Sequence, residues 1–158
     1  MQKPTFVHVT YIHTTPERLW QGLTDPADTQ RYWGVTFKSD WSAGSTLIFE
    51  QEGVRIADPA QVILEAEPFR RLSHTWHPFT QEWADINGLS GELLAQMSRE
   101  PRTKVTFDIT PIRRLVKLTV VHDDFDPDSV VPPMISEGWP QVLSGLKTLL
   151  ETGESLPV

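Results

Sequence analysis

The clearest hydrophobic pattern lies in the last long stretch of the chain, residues 129–153. Its apolar residues recur at steps of three and four, which places them along one side of a helix: Ile135, Trp139, Val142, Leu146, Leu149 and Leu150. Gly153 follows as a C-terminal stop signal, and Pro140 predicts a kink or a helix start inside the stretch. A helix with one apolar side must pack against a broad apolar surface. Because most of the preceding sequence has the pattern of β-strands, we expect that surface to be a sheet.

Seven segments have the alternation or the β-branched and aromatic content of strands, and turn residues separate most of them: 6–13, 35–38, 45–51, 60–66, 71–77, 104–110 and 115–122. Short connections of this kind predict an antiparallel meander. Two short helices are expected between the first two strands. A threonine before Pro16 caps the first helix, Asp25 caps the second, and Gly34 ends it.

At 158 residues the chain has the length of one domain, and we expect a single domain over residues 1–158. Residues 78–101 interrupt the rhythm of the strands and are interpreted as an insertion, in which Ser90 or Gly91 begins a short helix that runs through Met97. A functional flap and a plain surface excursion both remain open for this segment.

The order of these elements resembles the helix-grip fold. The run from Ile12 to Pro26, the Tyr32-Trp33-Gly34 triplet, and Gly138-Trp139 followed by a helix that ends in Glu-x-Gly are similar to signatures of the activator-of-heat-shock-protein-ATPase-like (AHSA-type) family. The resemblance implies the START/pollen-allergen-like SRPBCC superfamily. It also implies an α+β fold in which a seven-stranded antiparallel curved sheet wraps around the long C-terminal helix. Members of this superfamily share a cavity between sheet and helix but not one chemistry.

Composition excludes several classes of function. The net charge of -7 and the pI of about 5.1 argue against nucleic acid and anionic membrane surfaces as partners. The absence of cysteine excludes disulfides and thiolate chemistry. The first residues lack the apolar core of a signal peptide, so we expect a cytoplasmic protein. Asp124, Asp126 and Asp128 imitate the start of a calcium loop, but Ser129 and Ile135 stand where that loop needs Gly and Glu, so no metal or cofactor is expected.

One helix, about 10–12 Å wide, cannot fill the concave side of such a sheet. We therefore expect a cavity that binds a small hydrophobic molecule. The candidate wall residues are mostly large aromatic side chains that could also serve as ordinary core: Trp20, Trp33, Phe49, His74, Trp76, Trp83, Phe107, Leu118 and Trp139. Within this set, Trp83 would act together with Met97 as a lid.

Two alternatives stay open. The first is a cyclase- or hydrolase-like enzyme that uses His8, His74 or His122 as acid and base, although the chain has no strong enzyme motif and we expect a binding protein instead. His77, three residues after His74 on the same strand, is expected to face the opposite side. The second alternative is a co-chaperone-like interaction module. The macromolecular partners expected are a second copy of the chain, in a homodimer, and, for the co-chaperone alternative, a chaperone.

Overall fold

The structure is a computed structural model that describes residues 3–157. Its strands are β1 (Phe6–Ile12), β2 (Val35–Lys38), β3 (Ile48–Gln51), β4 (Val54–Ile56), β5 (Ile63–Glu67), β6 (Arg71–Thr75), β7 (Lys104–Ile112) and β8 (Leu115–Asp123). Its helices are α1 (Pro16–Thr24), α2 (Pro26–Trp33), α3 (Gln81–Asn87), α4 (Gly91–Ser98) and α5 (Pro132–Thr152). The α+β class, the two short helices after β1 and the long C-terminal helix are confirmed.

The expectation of one seven-stranded sheet is wrong in detail. The strands form an antiparallel five-stranded sheet, in the order β1-β8-β7-β6-β5, and a three-stranded sheet, in the order β2-β3-β4. The predicted strands 45–51 and 60–66 meet through the single bridge Thr46–Val62. At this corner the buried Gln61 amide donates to the carbonyls of Leu47, at 2.6 Å, and Ile56, at 3.1 Å. The Gln61 side chain thus adds to backbone bonds that already join the two sheets, such as the one from the Leu47 N–H to the Gln61 carbonyl at 2.9 Å.

The helices α1 and α2 begin and end at the predicted signals. Thr15 accepts a hydrogen bond from the Arg18 N–H at 3.1 Å, and Asp25 accepts one from the Ala27 N–H at 2.9 Å. Gly34 ends α2 in the left-handed region, at φ 75°, where glycine has no steric penalty. The chain then enters β2 directly, which holds the last residue of α2, Trp33, above the three-stranded sheet.

The long helix α5 begins before Pro140 and runs through it, so a helix start at Pro140 is wrong. Gly153 ends α5 with φ 81°, as predicted. No side chain of its own caps the start of α5. Instead, Glu100 from the insertion accepts hydrogen bonds from the Ser129 hydroxyl and from the Val130 N–H, the latter at 3.0 Å. The insertion is therefore bonded to the segment that leads into α5.

The insertion 78–101 contains two helices instead of one. The predicted helix from Ser90 is confirmed as α4, whereas α3 was not expected because its sequence is mostly polar. Trp83 of α3 and Met97 of α4 are 9% and 1% exposed and belong to the main hydrophobic core. The two helices therefore pack inward and do not extend into solvent as a surface excursion.

Candidate ligand-binding cavity

A cavity of about 180 Å³ lies between the N-terminal half of α5, the three-stranded sheet and the insertion helices. The side chains around it are mostly apolar, with aromatic rings from α2, β3, α3, α5 and the segment after β6. Its opening is bordered by partly exposed residues, among them Met134 and Ile135 of α5 and Asn87 at the end of α3. The cavity is thus a recess with a mouth, and not a sealed void.

The structure brings five of the nine proposed wall residues to this cavity: Trp33, Phe49, Trp76, Trp83 and Trp139. Met97, the other proposed lid residue, also borders it. His74 and Phe107 lie deeper, at a separate void of about 10 Å³.

Two of the proposed wall residues do not border either space. Leu118 is fully buried core in the middle of β8, with no exposed surface. Trp20 packs edge-on against Phe69, at 6.3 Å between ring centroids. The inward direction expected for Leu118 is correct, but its neighbours fill the space in front of it.

Three tryptophans from three elements form one end of the cavity. The ring centroids of Trp33 and Trp76 are 6.1 Å apart and the rings are stacked, while Trp139 lies 5.4 Å from Trp33 and 5.6 Å from Trp76. These separations are those of favourable aromatic pairs. Each of the three rings is therefore in contact with the other two.

His77 is a wall residue that the sequence pattern did not predict. Its ring packs among four aromatic rings, with centroid distances of 4.3 Å to Phe49, 5.1 Å to Trp76, 5.4 Å to Phe79 and 5.3 Å to Trp83. The expectation that His77 faces away from the cavity assumed that strand alternation continues to it, but β6 ends at Thr75. The available signal was Pro78, which cannot donate to a ladder and restricts the residue before it.

The protonation of His77 follows from its contacts. Its Nδ1 lies 2.7 Å from the carbonyl oxygen of Pro78, and because a carbonyl can only accept, Nδ1 carries the proton. Burial lowers the pKa of His77 to about 4, and the positive charge of Arg102 acts in the same direction. His77 is therefore neutral at physiological pH. Within residues 3–157 its Nε2 receives no hydrogen bond, and since Nε2 is not one of the fully buried atoms without a partner, it is accessible to solvent.

His122 is satisfied entirely by the protein. The indole N–H of Trp139 donates to its Nδ1 at 3.1 Å, so the proton of the ring lies on Nε2 and is donated to the Thr103 hydroxyl at 2.8 Å. Burial lowers the pKa of His122 to about 3, and the nearby His74 and His77 contribute further. His122 thus anchors α5 to β8 through Trp139 and has no nitrogen left for a ligand.

The three histidines proposed as acid and base do not meet at one point of the cavity. His74 borders the small void, donates Nδ1–H to the Thr75 carbonyl at 2.9 Å, and has its pKa lowered to about 4 by burial. His8 lies half-buried on β1, with its ring stacked on Phe6. Because His122 is also fully occupied, the geometry required for paired histidine catalysis is not present.

The mouth of the cavity carries an amide pair that joins the insertion to the sheet. Gln51 of β3 and Asn87 of α3 donate to each other at 3.5 and 3.4 Å, and Asn87 also donates to the Trp83 carbonyl at 2.8 Å. The two bonds between the amides are long, so they connect α3 to β3 only weakly.

Neither a metal site nor a membrane span is found in the part of the chain that the structure describes. No group of three His, Asp or Glu side chains there is placed to hold a metal ion. None of the helices in residues 3–157 has the length and hydrophobicity needed to cross a bilayer.

A family model described as "Activator of Hsp90 ATPase homolog 1-like protein" matches residues 13–151. Among proteins with curated descriptions, none is similar enough to the chain to count as a match.

The fold is shared with solved structures over nearly the whole chain. Protein MLL2253 from Mesorhizobium loti is 25% identical, with a TM-score of 0.73, and the match covers 93% of this chain and 96% of that one. Aha1 from Colwellia psychrerythraea, described as a dimer in solution, is 18% identical, with a TM-score of 0.70 and coverage of 96% and 99%. CalU16 from Micromonospora echinospora is 18% identical, with a TM-score of 0.65 and coverage of 97% and 77%. These similarities agree with the helix-grip fold expected from the sequence.

Proposed function

This chain belongs to the family of activator of Hsp90 ATPase homolog 1-like proteins, and from that premise we propose that it binds a small hydrophobic molecule in the cavity beside α5. The observation that supports the proposal most directly is the aromatic recess itself. Its walls come from elements far apart in sequence, including α2, β3, α3 and α5. A concave, mostly apolar pocket with few polar groups is the usual form of a small-molecule site.

The volume limits the size of the ligand. A dry protein cavity of about 150 Å³ is large enough for benzene, whereas drug-sized ligands need about 300–1,000 Å³. At about 180 Å³, the recess is suited to one aromatic ring with a short substituent. A ligand of about seven non-hydrogen atoms that gains about 0.7 kcal/mol per atom would bind with a Kd of about 0.1–1 mM.

Toluene is a suitable first probe because it has one ring, one methyl group and no polar atom. We expect ¹H–¹⁵N spectra recorded during a toluene titration to show saturable shifts of the indole N–H signals of Trp33, Trp76, Trp83 and Trp139. The signal of Trp20, which lies away from the recess, serves as an internal reference. Indole signals that do not move up to the aqueous solubility of toluene would contradict the proposal.

A pair of glycine variants provides a matched control. Gly138 lies on α5 beside the recess, and a Cβ at this position would meet no atom within 4 Å, so Gly138→Leu adds bulk at the recess without a clash at the Cβ. Gly91 at the start of α4 also has open space at its Cβ but does not border the recess. We expect Gly138→Leu to weaken toluene binding at least fivefold and Gly91→Leu to leave it unchanged.

The outer face of β1 is a second feature of interest, because it exposes apolar side chains. Val7, Val9 and Tyr11 alternate along this edge strand and are 56%, 43% and 46% exposed. Contiguous apolar side chains of this kind are typical of interaction surfaces. Because the similar Aha1 structure is described as a dimer, we propose a second copy of this chain as the occupant. A co-chaperone role, with a chaperone on the same face, is the alternative that a monomeric state in solution would favour.

A further inference from the structure

The recess contains one internal hydrogen-bond acceptor that the protein leaves unused. His77 is 6% exposed and borders the recess, its Nδ1–H is donated to Pro78, and its Nε2 receives no hydrogen bond within residues 3–157. Within residues 3–157, Gln61 Oε1 is the fully buried side-chain atom without a hydrogen-bond partner, so His77 Nε2 is accessible to solvent. A purely apolar ligand in the recess would exclude solvent from Nε2 and leave this acceptor without a donor, which is unfavourable, whereas a ligand that brings its own donor would not.

The lining also supplies hydrogen-bond donors. Among the four tryptophans around the recess, Trp139 is the one that donates its indole N–H to another side chain in the described part of the chain. Trp76 and Trp83 flank His77 at 5.1 and 5.3 Å between ring centroids. Indole nitrogen is a donor and never an acceptor. The two rings that flank His77 therefore carry donors and no further acceptor.

Among residues 3–157, no Lys or Arg borders the recess to receive an anion. The cation whose charge acts on His77 is Arg102, whose guanidinium donates to the Trp76 carbonyl at 2.8 Å and forms an ion pair with Asp58 at 3.2 Å. Arg102 borders a neighbouring, more polar space, to which His77 also contributes, and it does not border the recess. A carboxylate placed among the aromatic rings would lose its hydration without gaining a counter-ion.

The void next to His74 provides a useful contrast. In the described part of the chain, Nε2 of His74 also receives no hydrogen bond, but the space beside His74 is about 10 Å³, roughly the room of one water molecule. His77 is therefore the histidine whose free nitrogen lies beside a space large enough for an organic ligand.

We propose that the recess selects neutral, single-ring aromatic molecules with one hydroxyl group, that is, phenols, and that the hydroxyl donates to Nε2 of His77. A hydroxyl supplies the donor that Nε2 lacks, and it does so without a charge. This inference rests on the proposed binding function and adds the chemical class of the ligand. No bond is made or broken in the process.

The test compares three probes that differ only in the group opposite a methyl: 4-methylphenol, 4-methylanisole and toluene. The anisole oxygen can accept but not donate, so it isolates the contribution of the His77 acceptor. We expect wild-type protein to bind 4-methylphenol about fivefold to tenfold more tightly than 4-methylanisole, as one satisfied hydrogen bond predicts. A fourth probe, 4-methylbenzoate, should show no saturable binding.

The matched variant is His77→Phe, which keeps a ring in the same aromatic surroundings and removes the acceptor. Because His77 belongs to the wall, the test is the ratio of the two affinities within the variant: His77→Phe should bind 4-methylphenol and 4-methylanisole equally, whatever its affinity for toluene. A readout that needs no variant is the ¹⁵N signal of His77 Nε2, which should move toward the hydrogen-bonded position with 4-methylphenol and stay in place with toluene.

The outcomes separate the two proposals. Two results would overturn the phenol inference and leave the binding function intact. One is toluene binding by the wild type without any preference for 4-methylphenol. The other is a preference for 4-methylphenol that persists in His77→Phe, or a wild-type Nε2 signal that 4-methylphenol does not move. Binding of 4-methylbenzoate as tight as that of 4-methylphenol would also overturn it. Failure of all four probes to bind would overturn both.

Discussion

Acidification from about pH 7 to about pH 5.5 should destabilise the protein through three buried histidines. His74, His77 and His122 have folded pKa values of about 4, 4 and 3, below the ordinary value of 6.5. The unfolded chain therefore binds protons in this pH range while the folded chain does not. The stability that depends on keeping these rings neutral is complete above pH 6.5 and is lost as the pH falls toward the folded pKa values.

The magnitude follows from proton linkage. For each ring, preferential protonation of the unfolded chain lowers the free energy of unfolding by about 1.4 kcal/mol at pH 5.5 and by about 0.2 kcal/mol at pH 7. Acidification between these pH values therefore costs about 1.2 kcal/mol of stability per ring. For the three rings together the loss of stability is about 3–4 kcal/mol, a large fraction of the free energy of unfolding of about 5–15 kcal/mol that is typical of a domain. This figure depends mainly on the unfolded pKa and changes little while the folded values stay below about 5.

Urea denaturation followed by tryptophan fluorescence at the two pH values measures this difference directly. His122→Gln is the informative variant, because an amide can accept from Trp139 and donate to Thr103 but does not titrate. Its pH-dependent loss should be smaller than that of wild type by about 1.2 kcal/mol, whatever its stability at pH 7. A loss in wild type below about 1 kcal/mol, or an unchanged loss in the variant, would refute neutral burial of these rings.

Two further predictions concern packing and assembly. Gly145→Ala should lower the free energy of unfolding by about 1–2 kcal/mol, since its Cβ would lie 3.1 Å from the Tyr32 backbone oxygen. Gly22→Ala should leave the free energy of unfolding nearly unchanged, because the atom 3.1 Å from its Cβ is the tip of the Leu146 side chain and alanine favours the helix. Thermal denaturation of both variants measures the difference, and equal losses of stability would contradict this reasoning. Val9→Lys, in the centre of the apolar face of β1, should convert a wild-type dimer to monomers in sedimentation experiments while leaving the circular dichroism spectrum unchanged; a wild-type monomer would exclude the proposed dimer.

Local signals determined much of the architecture. Asp25, Pro26 and Gly34 define α2 because capping and left-handed backbone depend on neighbours within a few residues. Gly153 ends α5 for the same reason. The three-residue strand β4 is too short for an alternation to be visible, and the polar sequence of α3 conceals the one large residue, Trp83, by which it packs.

Tertiary structure determined what the buried residues do. Phe49 and Leu118 are 2% and 0% exposed and follow the same alternation, yet one borders the recess and the other is enclosed core. Which of them meets empty space depends on the separation between α5 and the two sheets, a distance set by contacts between segments remote in sequence.

The direction of the His77 side chain was likewise decided by tertiary structure and not by the local sequence pattern. Alternation along β6 assigns it to the wrong side, because the direction of its side chain is set after the strand ends, by the bond from its ring to the Pro78 carbonyl and by the aromatic rings around it. By itself, the sequence determined the helix-grip elements and their apolar faces, since periodicity and capping act over a few residues. Only the packed structure decided where a cavity remains and which polar atom in it is free, because both depend on the way distant elements fit together.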